Sequence, residues 1–486
     1  MDVPSAIPPE LLTPAGMAEA DRQAGNGPAL MEAAGQAVAR AILRRCRPVR
    51  ALVLTGPGNN GGDGHVVARH LERAGWDVAV APLGPPRAGS DAAGAVAAWR
   101  GPMRDFSAAA VRRAGLVVDA VFGAGLTRDV DGLACEVLEA ARAPLVALDV
   151  PSGVCGATGA IRGFAPQALL TVTFFRRKPG HLLLPGRDRC GELVLADIGL
   201  PGKVLDRIAP LTFANGPRLW PLSLWPLPLW PLPQPHAQSH KHSRGHVTIL
   251  SGEAMPGAAL LAARAARRAG AGLVTLACTD AASAALHRLA EPGALVLQAH
   301  GAGPLLAALL ADARRDVFLV GPGLPPDATT RGLLAALLGA GRRLVVDAGG
   351  LTACAGTPQA LRGAAILTPH LGEFTRLFGA PGEDRLTAAR MAAHQTGAVV
   401  LLKGSDSVIA APDGRAAINH NAPPWLATGG TGDVLAGIAA ALLAQGMPAF
   451  EAACAACWWQ GAAARHLGPG LIAEDLPGAL AGTSAP

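Results

Sequence analysis

At 486 residues, half of them apolar and 16% charged, the chain has room for two or three domains that each bury a core, and its composition excludes an extended disordered polymer. A net charge of +6 over that length, with no dense basic block, excludes a nucleic-acid surface and suits anionic small molecules. No run of about 18 uninterrupted apolar residues is present to span a bilayer, and Met1 to Pro14 lacks the basic start and apolar core of a signal peptide, so a soluble cytoplasmic protein without a membrane partner is expected. The abundance of alanine and arginine reads as genome composition. Lysine is scarce, at Lys178, Lys203, Lys241 and Lys403 alone.

Met17 to Leu43 carries helical spacing, with Leu30, Met31, Ala34, Val38 and Ile42 on one side. Ala51 to Thr55 reads as a buried strand that ends in Gly56-Pro57-Gly58-Asn59-Asn60-Gly61-Gly62-Asp63-Gly64, and His65 to Ala74 returns to helix. A strand, a glycine-rich turn and a helix bring backbone amides against a phosphate. The two asparagines and the aspartate distinguish this turn from a dinucleotide fingerprint. Leu116 to Val118 runs into Asp119 and then Gly123 to Arg128, while Leu145 to Leu148 runs into Asp149 and Val150-Pro151-Ser152-Gly153. In an open parallel sheet such strand ends converge on one crevice, where Asn60, Asp119, Asp149 and Ser152 can meet. Their oxygens favour a monovalent ion over zinc, which takes Cys or His.

Leu219 to Pro233 holds three copies of a five-residue unit, LWPL followed by Ser or Pro, expected to form a stiff proline-rich linker over 214–239. The four histidines from His236 to His246 lack the alternating cysteines or carboxylates of a metal site. Beyond the linker, strands are expected at His246–Leu250, Leu273–Ala277, Val317–Val320, Leu344–Val346, Ala365–Leu367 and Val399–Leu402, with a helix from Gly257 to Ala269. The last four end in Gly321-Pro322-Gly323-Leu324, Asp347, Thr368-Pro369-His370 and Lys403-Gly404, the pattern of a second α/β sheet. Last comes Gly429-Gly430-Thr431-Gly432-Asp433 before the apolar run Val434 to Leu443. Glycines at a helix start leave free N–H groups for a phosphate, and Asp433 falls in the first helical turn. The eight cysteines, at 46, 135, 155, 190, 278, 354, 454 and 457, form no disulfide framework. Cys454 and Cys457 make a CxxC within an alanine-rich helix, read as buried thiols.

The segments GPGNNGGDGHVVARHL, VVDAVFGAGLTRDVDG and ALDVPSG, followed by Thr171 to Phe174 and Lys178-Pro179-Gly180, resemble the NAD(P)HX epimerase domain. The resemblance implies a Rossmann-like three-layer αβα domain over 1–213 that interconverts the R and S forms of hydrated NADH or NADPH. It implies that Asn59, Asn60, Gly61, Gly62 and Asp63, with Gly123, Ala124, Gly125, Leu126, Thr127, Arg128 and Asp129, hold the substrate. Asn60, Asp119 and Ser152 would hold a potassium ion, and Asp149 would face the nicotinamide as acid/base.

Pro256-Gly257-Ala258, GPGL, LTPHLGEF, LLKG and ATGGTGDVLAGI resemble the ADP-dependent NAD(P)HX dehydratase domain of the ribokinase-like superfamily, expected here over 240–486. The resemblance implies that Ala258, Gly323 and His370 contact the hydrated dinucleotide. Lys403, Gly404, Ser405, Asp406, Ser407 and Gly432 would hold ADP, with ATP as the alternative and Mg2+ beside it, and Asp433 would act as the acid/base. Two positions depart from the family pattern: Pro325 follows GPGL, and Asp347-Ala348-Gly349-Gly350-Leu351 lacks a second carboxylate. Altered nucleotide or metal handling is expected from them. The sequence points to a bifunctional repair enzyme and a homo-oligomer. The rival reading is a small-molecule kinase fused to a non-catalytic nucleotide- or RNA-binding module.

Overall fold

The structure, a computed structural model, describes residues 7–219 and 232–483. The chain separates into two compact units, Met1–Thr212 and Phe213–Pro486. Residues 220–231, which carry most of the LWPL copies, lie outside the described residues.

The first unit is built on six parallel strands: β1 (Ala51–Thr55), β2 (Val78–Pro82), β3 (Leu116–Ala120), β4 (Leu145–Leu148), β5 (Leu170–Phe174) and β6 (Glu192–Ala196). Their order is β2-β1-β3-β4-β5-β6, and every pairing is parallel. Strands β1, β3, β4 and β5 are buried throughout, as in a sheet with helices on both faces. Ala51 and Val53 pack with Val38, Ile42 and Leu71 on one side. Leu52 and Leu54 pack with Val111, Val137 and Leu138 on the other. The result is the expected three-layer αβα arrangement. The strand order reverses between β1 and β3, and their carboxyl ends open the crevice where such sheets bind ligands.

The helical pattern from Met17 to Leu43 forms two helices, Pro14–Ala24 and Gly27–Leu43. Gly25 caps the first in the left-handed region, with φ 68°, a conformation open to glycine without a Cβ penalty. The glycine-rich segment after β1 is not a free turn either. The helix starts at Asn59 and runs to Arg73, so the two asparagines and Asp63 occupy its first turns.

The second unit holds a ten-stranded sheet: β7 (Thr212–Ala214), β8 (His246–Leu250), β9 (Leu273–Cys278), β10 (Leu295–Gln298), β11 (Val317–Val320), β12 (Arg343–Val346), β13 (Ile366–Leu367), β14 (Val399–Leu402), β15 (Val408–Ala410) and β16 (Ala416–Ile418). The order is β10-β9-β8-β11-β12-β13-β14-β15-β16-β7. It is parallel from β10 to β14 and antiparallel across β14, β15 and β16. The reversal of order at β8 and β11 again marks a crevice at the strand ends. The helix Thr431–Ala444 buries every residue from Val434 to Leu443, which explains a run apolar on all sides. It crosses Pro256–Arg268 closely: a Cβ at Gly437 would lie 2.3 Å from the Ala262 carbonyl oxygen.

Candidate active sites

In the first unit a cavity of about 820 Å³ opens at the carboxyl ends of β1 and β3. Its wall includes Asn59, Asn60 and Asp63 from the helix start, and Gly123, Ala124, Gly125, Leu126 and Arg128 from the loop after β3. Gly61 and Gly62 are buried behind it, whereas Thr127 and Asp129 are exposed and lie outside the lining.

Asp149 sits at the end of β4 with φ 63°, a left-handed conformation that Asp tolerates better than most residues. That twist turns its carboxylate into the cavity. Oδ1 lies 2.6 Å from the Lys178 ammonium and accepts from Thr173 Oγ1 at 3.0 Å. Oδ2 accepts from the backbone N–H of Ala124 at 3.1 Å. Lys178 is 2% exposed and also donates to Thr173 Oγ1 at 2.8 Å. Burial pushes the Asp149 carboxyl up, but Lys178, His181 and the Ala124 N–H bring it down to about 2. Asp149 is therefore an anion at neutral pH, suited to facing positive charge.

His181 fixes the underside of this group. Its Nδ1 accepts from the Lys178 backbone N–H at 2.9 Å, and its Nε2 donates to the Asp149 carbonyl at 2.7 Å. Burial, with Lys178 nearby, lowers its pKa to about 4, so the ring is neutral and its tautomer is set by these two bonds. Lys178, Thr173 and His181 had no role assigned from sequence. The scarcity of lysine and the Lys-Pro-Gly motif were the available signals.

Asp119 and Ser152 are 0% exposed and lie behind the cavity wall. Asp119 Oδ1 accepts from Ser152 Oγ at 2.6 Å and from the Val121 N–H at 3.2 Å, and Oδ2 accepts from the Ser152 N–H at 2.8 Å. Burial pushes this carboxyl up and those hydrogen bonds only partly offset it. Asn60 Nδ2 is buried without a hydrogen-bond partner. The Asp119 carboxylate and the Ser152 hydroxyl are oxygen donors of the kind a singly charged cation takes, whereas the Asn60 Nδ2 is a hydrogen-bond donor and supplies no ligand. Among the described residues no group of three or more His, Cys, Asp or Glu gathers as a metal set.

In the second unit the strand ends place Ser251, Gly321, Asp347, His370 and Lys403 along one edge of the sheet, as β8, β11, β12, β13 and β14 finish there. Lys403 Nζ lies 2.7 Å from Asp347 Oδ1. A Cβ at Gly432 would sit 3.3 Å from that ammonium, so the start of helix Thr431–Ala444 lies directly against the pair. Burial works against the Lys403 ammonium, yet Asp347, Glu373 and Asp433 hold its pKa above the usual value. Burial pushes the Asp433 carboxyl up, Asp347 adds to it, and Lys403 pulls it only partly back, leaving it at about 6. A carboxyl titrating there can give or take a proton near neutral pH.

His370 caps helix Leu371–Phe378. Its Nδ1 accepts from the N–H groups of Gly372 and Glu373, and Glu373 returns a bond to the His370 N–H at 2.9 Å. Nδ1 is thus occupied, and Nε2 lies 3.5 Å from Glu373 Oε1. Gly323, with φ 72°, abuts Met255 and Ala258 across the crevice. In the segment after Lys403 the buried side chains build the turn: Asp406 pairs with Arg385, and Ser407 Oγ bonds the Gly404 N–H and carbonyl. Gly404 and Ser405 are the exposed part. Where the second carboxylate after Asp347 is missing, the backbone leaves no room for a side chain. A Cβ at Gly349 would meet the Leu324 carbonyl oxygen at 2.0 Å.

Residues 247–477 match the family profile described as NAD(P)H-hydrate dehydratase, and residues 27–180 match that of the YjeF-related protein N-terminus. A bifunctional NAD(P)H-hydrate repair enzyme of Salinibacter ruber is 38% identical, across 97% of this chain and 95% of the relative. The chain belongs to the bifunctional NAD(P)H-hydrate repair enzymes. The repair enzyme of Moorella thermoacetica is also 38% identical, over 96% of this chain and 95% of its own. Among solved structures, an ADP/ATP-dependent NAD(P)H-hydrate dehydratase from Bacillus subtilis, co-crystallised with ATP and Mg2+, is 30% identical. It covers 51% of this chain and 92% of its own, with a TM-score of 0.44. No helix among the described residues is long and apolar enough to cross a membrane.

Proposed function

We propose that the first unit epimerises R- and S-NAD(P)HX and that the second dehydrates the S form to NADH or NADPH with ADP. The observation that carries this reading is continuous likeness to repair enzymes along 97% of the chain with both strand-end sites present. In the first site Asn59 to Asp63 and Gly123 to Asp129 hold the hydrated dinucleotide, and the Asp149 carboxylate faces its ring. Asn60, Asp119 and Ser152 would hold a potassium ion, which would supply fixed positive charge to the site.

In the second site Ala258, Gly323 and His370 hold the substrate. Lys403, Gly404, Ser405, Asp406, Ser407 and Gly432 hold the nucleotide with Mg2+, which supplies the phosphoryl chemistry that turns the hydroxyl into a leaving group. Asp433 moves the proton, and the Lys403–Asp347 pair fixes charge beside it. The enzyme is proposed to be cytoplasmic and homo-oligomeric. Fusing the activities lets one stereospecific dehydratase clear both epimers.

The test is recovery of reduced-nicotinamide absorbance from a mixed R/S NADHX preparation. Complete recovery with ADP and none without it is the expected result. Recovery that stops at the S fraction overturns the epimerase half. No recovery with ADP or ATP overturns the dehydratase half and moves that unit to the small-molecule kinase reading.

A further inference from the structure

The cavity of the first unit contains a second carboxyl whose situation is the opposite of that of Asp149. Asp63 lines the same wall, one helical turn along from Asn60. Asp149 spends both oxygens on Lys178, Thr173 and the Ala124 N–H. Among the described residues no hydrogen-bond donor or cation reaches the Asp63 carboxyl, and its charged neighbours are Asp149 and Asp21, both acidic. A carboxyl surrounded in this way keeps its proton, and burial together with Asp149 and Asp21 raises its pKa well above the usual value. An acid held protonated next to a carboxylate held ionised is the division of labour by which glycosidases cleave a bond to oxygen through a planar cation.

We propose that Asp63 is the proton donor of the epimerase site and that Asp149 stabilises the cation formed, an inference that rests on the epimerase reading above. Water adds to an enamine on the carbon attached to nitrogen, so the hydrate is a carbinolamine. Asp63 gives its proton to the hydroxyl, the carbon–oxygen bond breaks with its electron pair leaving on water, and the ring-nitrogen lone pair closes a carbon–nitrogen double bond. The resulting planar cation faces the Asp149 carboxylate. Rotation of the ring about its bond to the ribose presents the other face. Water adds there, the double-bond pair returns to nitrogen, and the surplus proton returns to Asp63. No oxidant, reductant or further reactant is consumed, and the site ends in the state in which it began.

The charged groups of the cavity besides Asp63 and Asp149 are Asp21 and Arg22 from helix Pro14–Ala24, Asp91 from helix Asp91–Ala98, Arg128 and Lys178. The full-length enzyme, with no ADP present, is given pure S-NADHX, and the R epimer is followed by chromatography. A wild-type rate no faster than buffer refutes the epimerase reading itself, whatever Asp63 does. With wild-type activity in hand, Asp63→Asn is expected to lower kcat about 100- to 1,000-fold with KM within about threefold. The wild-type rate should fall as pH rises through the Asp63 pKa, and the variant should lack that alkaline limb. A variant rate within about threefold of wild type, or a loss carried by KM alone, overturns the assignment. A wild-type measurement stands apart from the folding of any variant. In 18O-labelled water the product should gain solvent oxygen as turnovers accumulate, and retention of the original oxygen refutes the cation route.

Discussion

Replacing Lys178 by methionine keeps most of the buried stem and removes the ammonium, leaving the Asp149 carboxylate with hydrogen bonds alone. The side chain is 2% exposed and Nζ lies 2.6 Å from Oδ1, so the substitution breaks a largely buried pair. The depression of Asp149 from 3.8 to about 2 corresponds to about 2.5 kcal/mol at about 1.4 kcal/mol per pH unit. Its sign follows from linkage: a lowered carboxyl stabilises fully above pH 3.8, and the stabilisation is lost as pH falls toward 2. Breaking a buried pair by removing one partner costs about 3–5 kcal/mol. The two figures meet at about 3 kcal/mol. Amide hydrogen exchange of peptides covering Leu145–Leu148 and Leu170–Phe174 reads this loss in the intact chain, as a rise of about 150-fold in rate. The double variant Lys178→Met with Asp149→Asn removes the stranded charge and should regain about 2 kcal/mol of it. Unchanged exchange in Lys178→Met, or no recovery in the double variant, would refute the view that the ammonium holds Asp149 as an anion.

Asp149→Asn should abolish interconversion of the epimers while ADP-dependent dehydration of pure S-NADHX persists; chromatography of each reaction separates the outcomes. Asp433→Ala should do the reverse. With its pKa raised to about 6, Asp433 is ready to take the hydroxyl proton only above that value, so kcat/KM for dehydration should fall as pH drops below about 6 in wild type. Gly349→Asp, which restores the family's second carboxylate, should lower the melting temperature of the second unit and its activity, because the Cβ meets a backbone oxygen rather than a movable side chain. Cys454 and Cys457 are 0% and 5% exposed, and burial pushes the Cys457 thiol up to about 12. Neither should react with iodoacetamide in the folded protein, as peptide mass spectrometry would show.

Nine strands were legible as short apolar runs closed by a polar or glycine turn, whereas β2, β5, β6, β7, β10, β15 and β16 were not read from the sequence. Those closing residues are also the site residues, so Asn60, Asp119, Asp149, His370 and Lys403 stood out for the same reason. What the sequence hid was non-local. Lys178 finds Asp149 across 29 positions and Lys403 finds Asp347 across 56, and no periodicity announces such a pairing. The break at Gly25 was passed over because apolar spacing resumes in phase on both sides, although Gly25-Asn26-Gly27-Pro28 carries the signal of a turn. Asp63 was visible within its motif, but its lack of any partner is a property of the folded cavity alone. The glycine at 349 looked like a lost ligand and is a contact between two backbones.

The crossing of helices Pro256–Arg268 and Thr431–Ala444 gives the alanine content a second explanation. One helix carries Ala258 near its start and the other carries Asp433, and where they cross Gly437 lies against the Ala262 carbonyl, with the other small residues of both helices buried in the same core. At such closeness the tolerance to substitution is one-sided. A residue can shrink to glycine at the cost of a small void, whereas one added methyl at Gly437 pries the two helices apart. Compositional drift toward alanine would therefore be tolerated along these helices except at Gly437, where alanine is already too large.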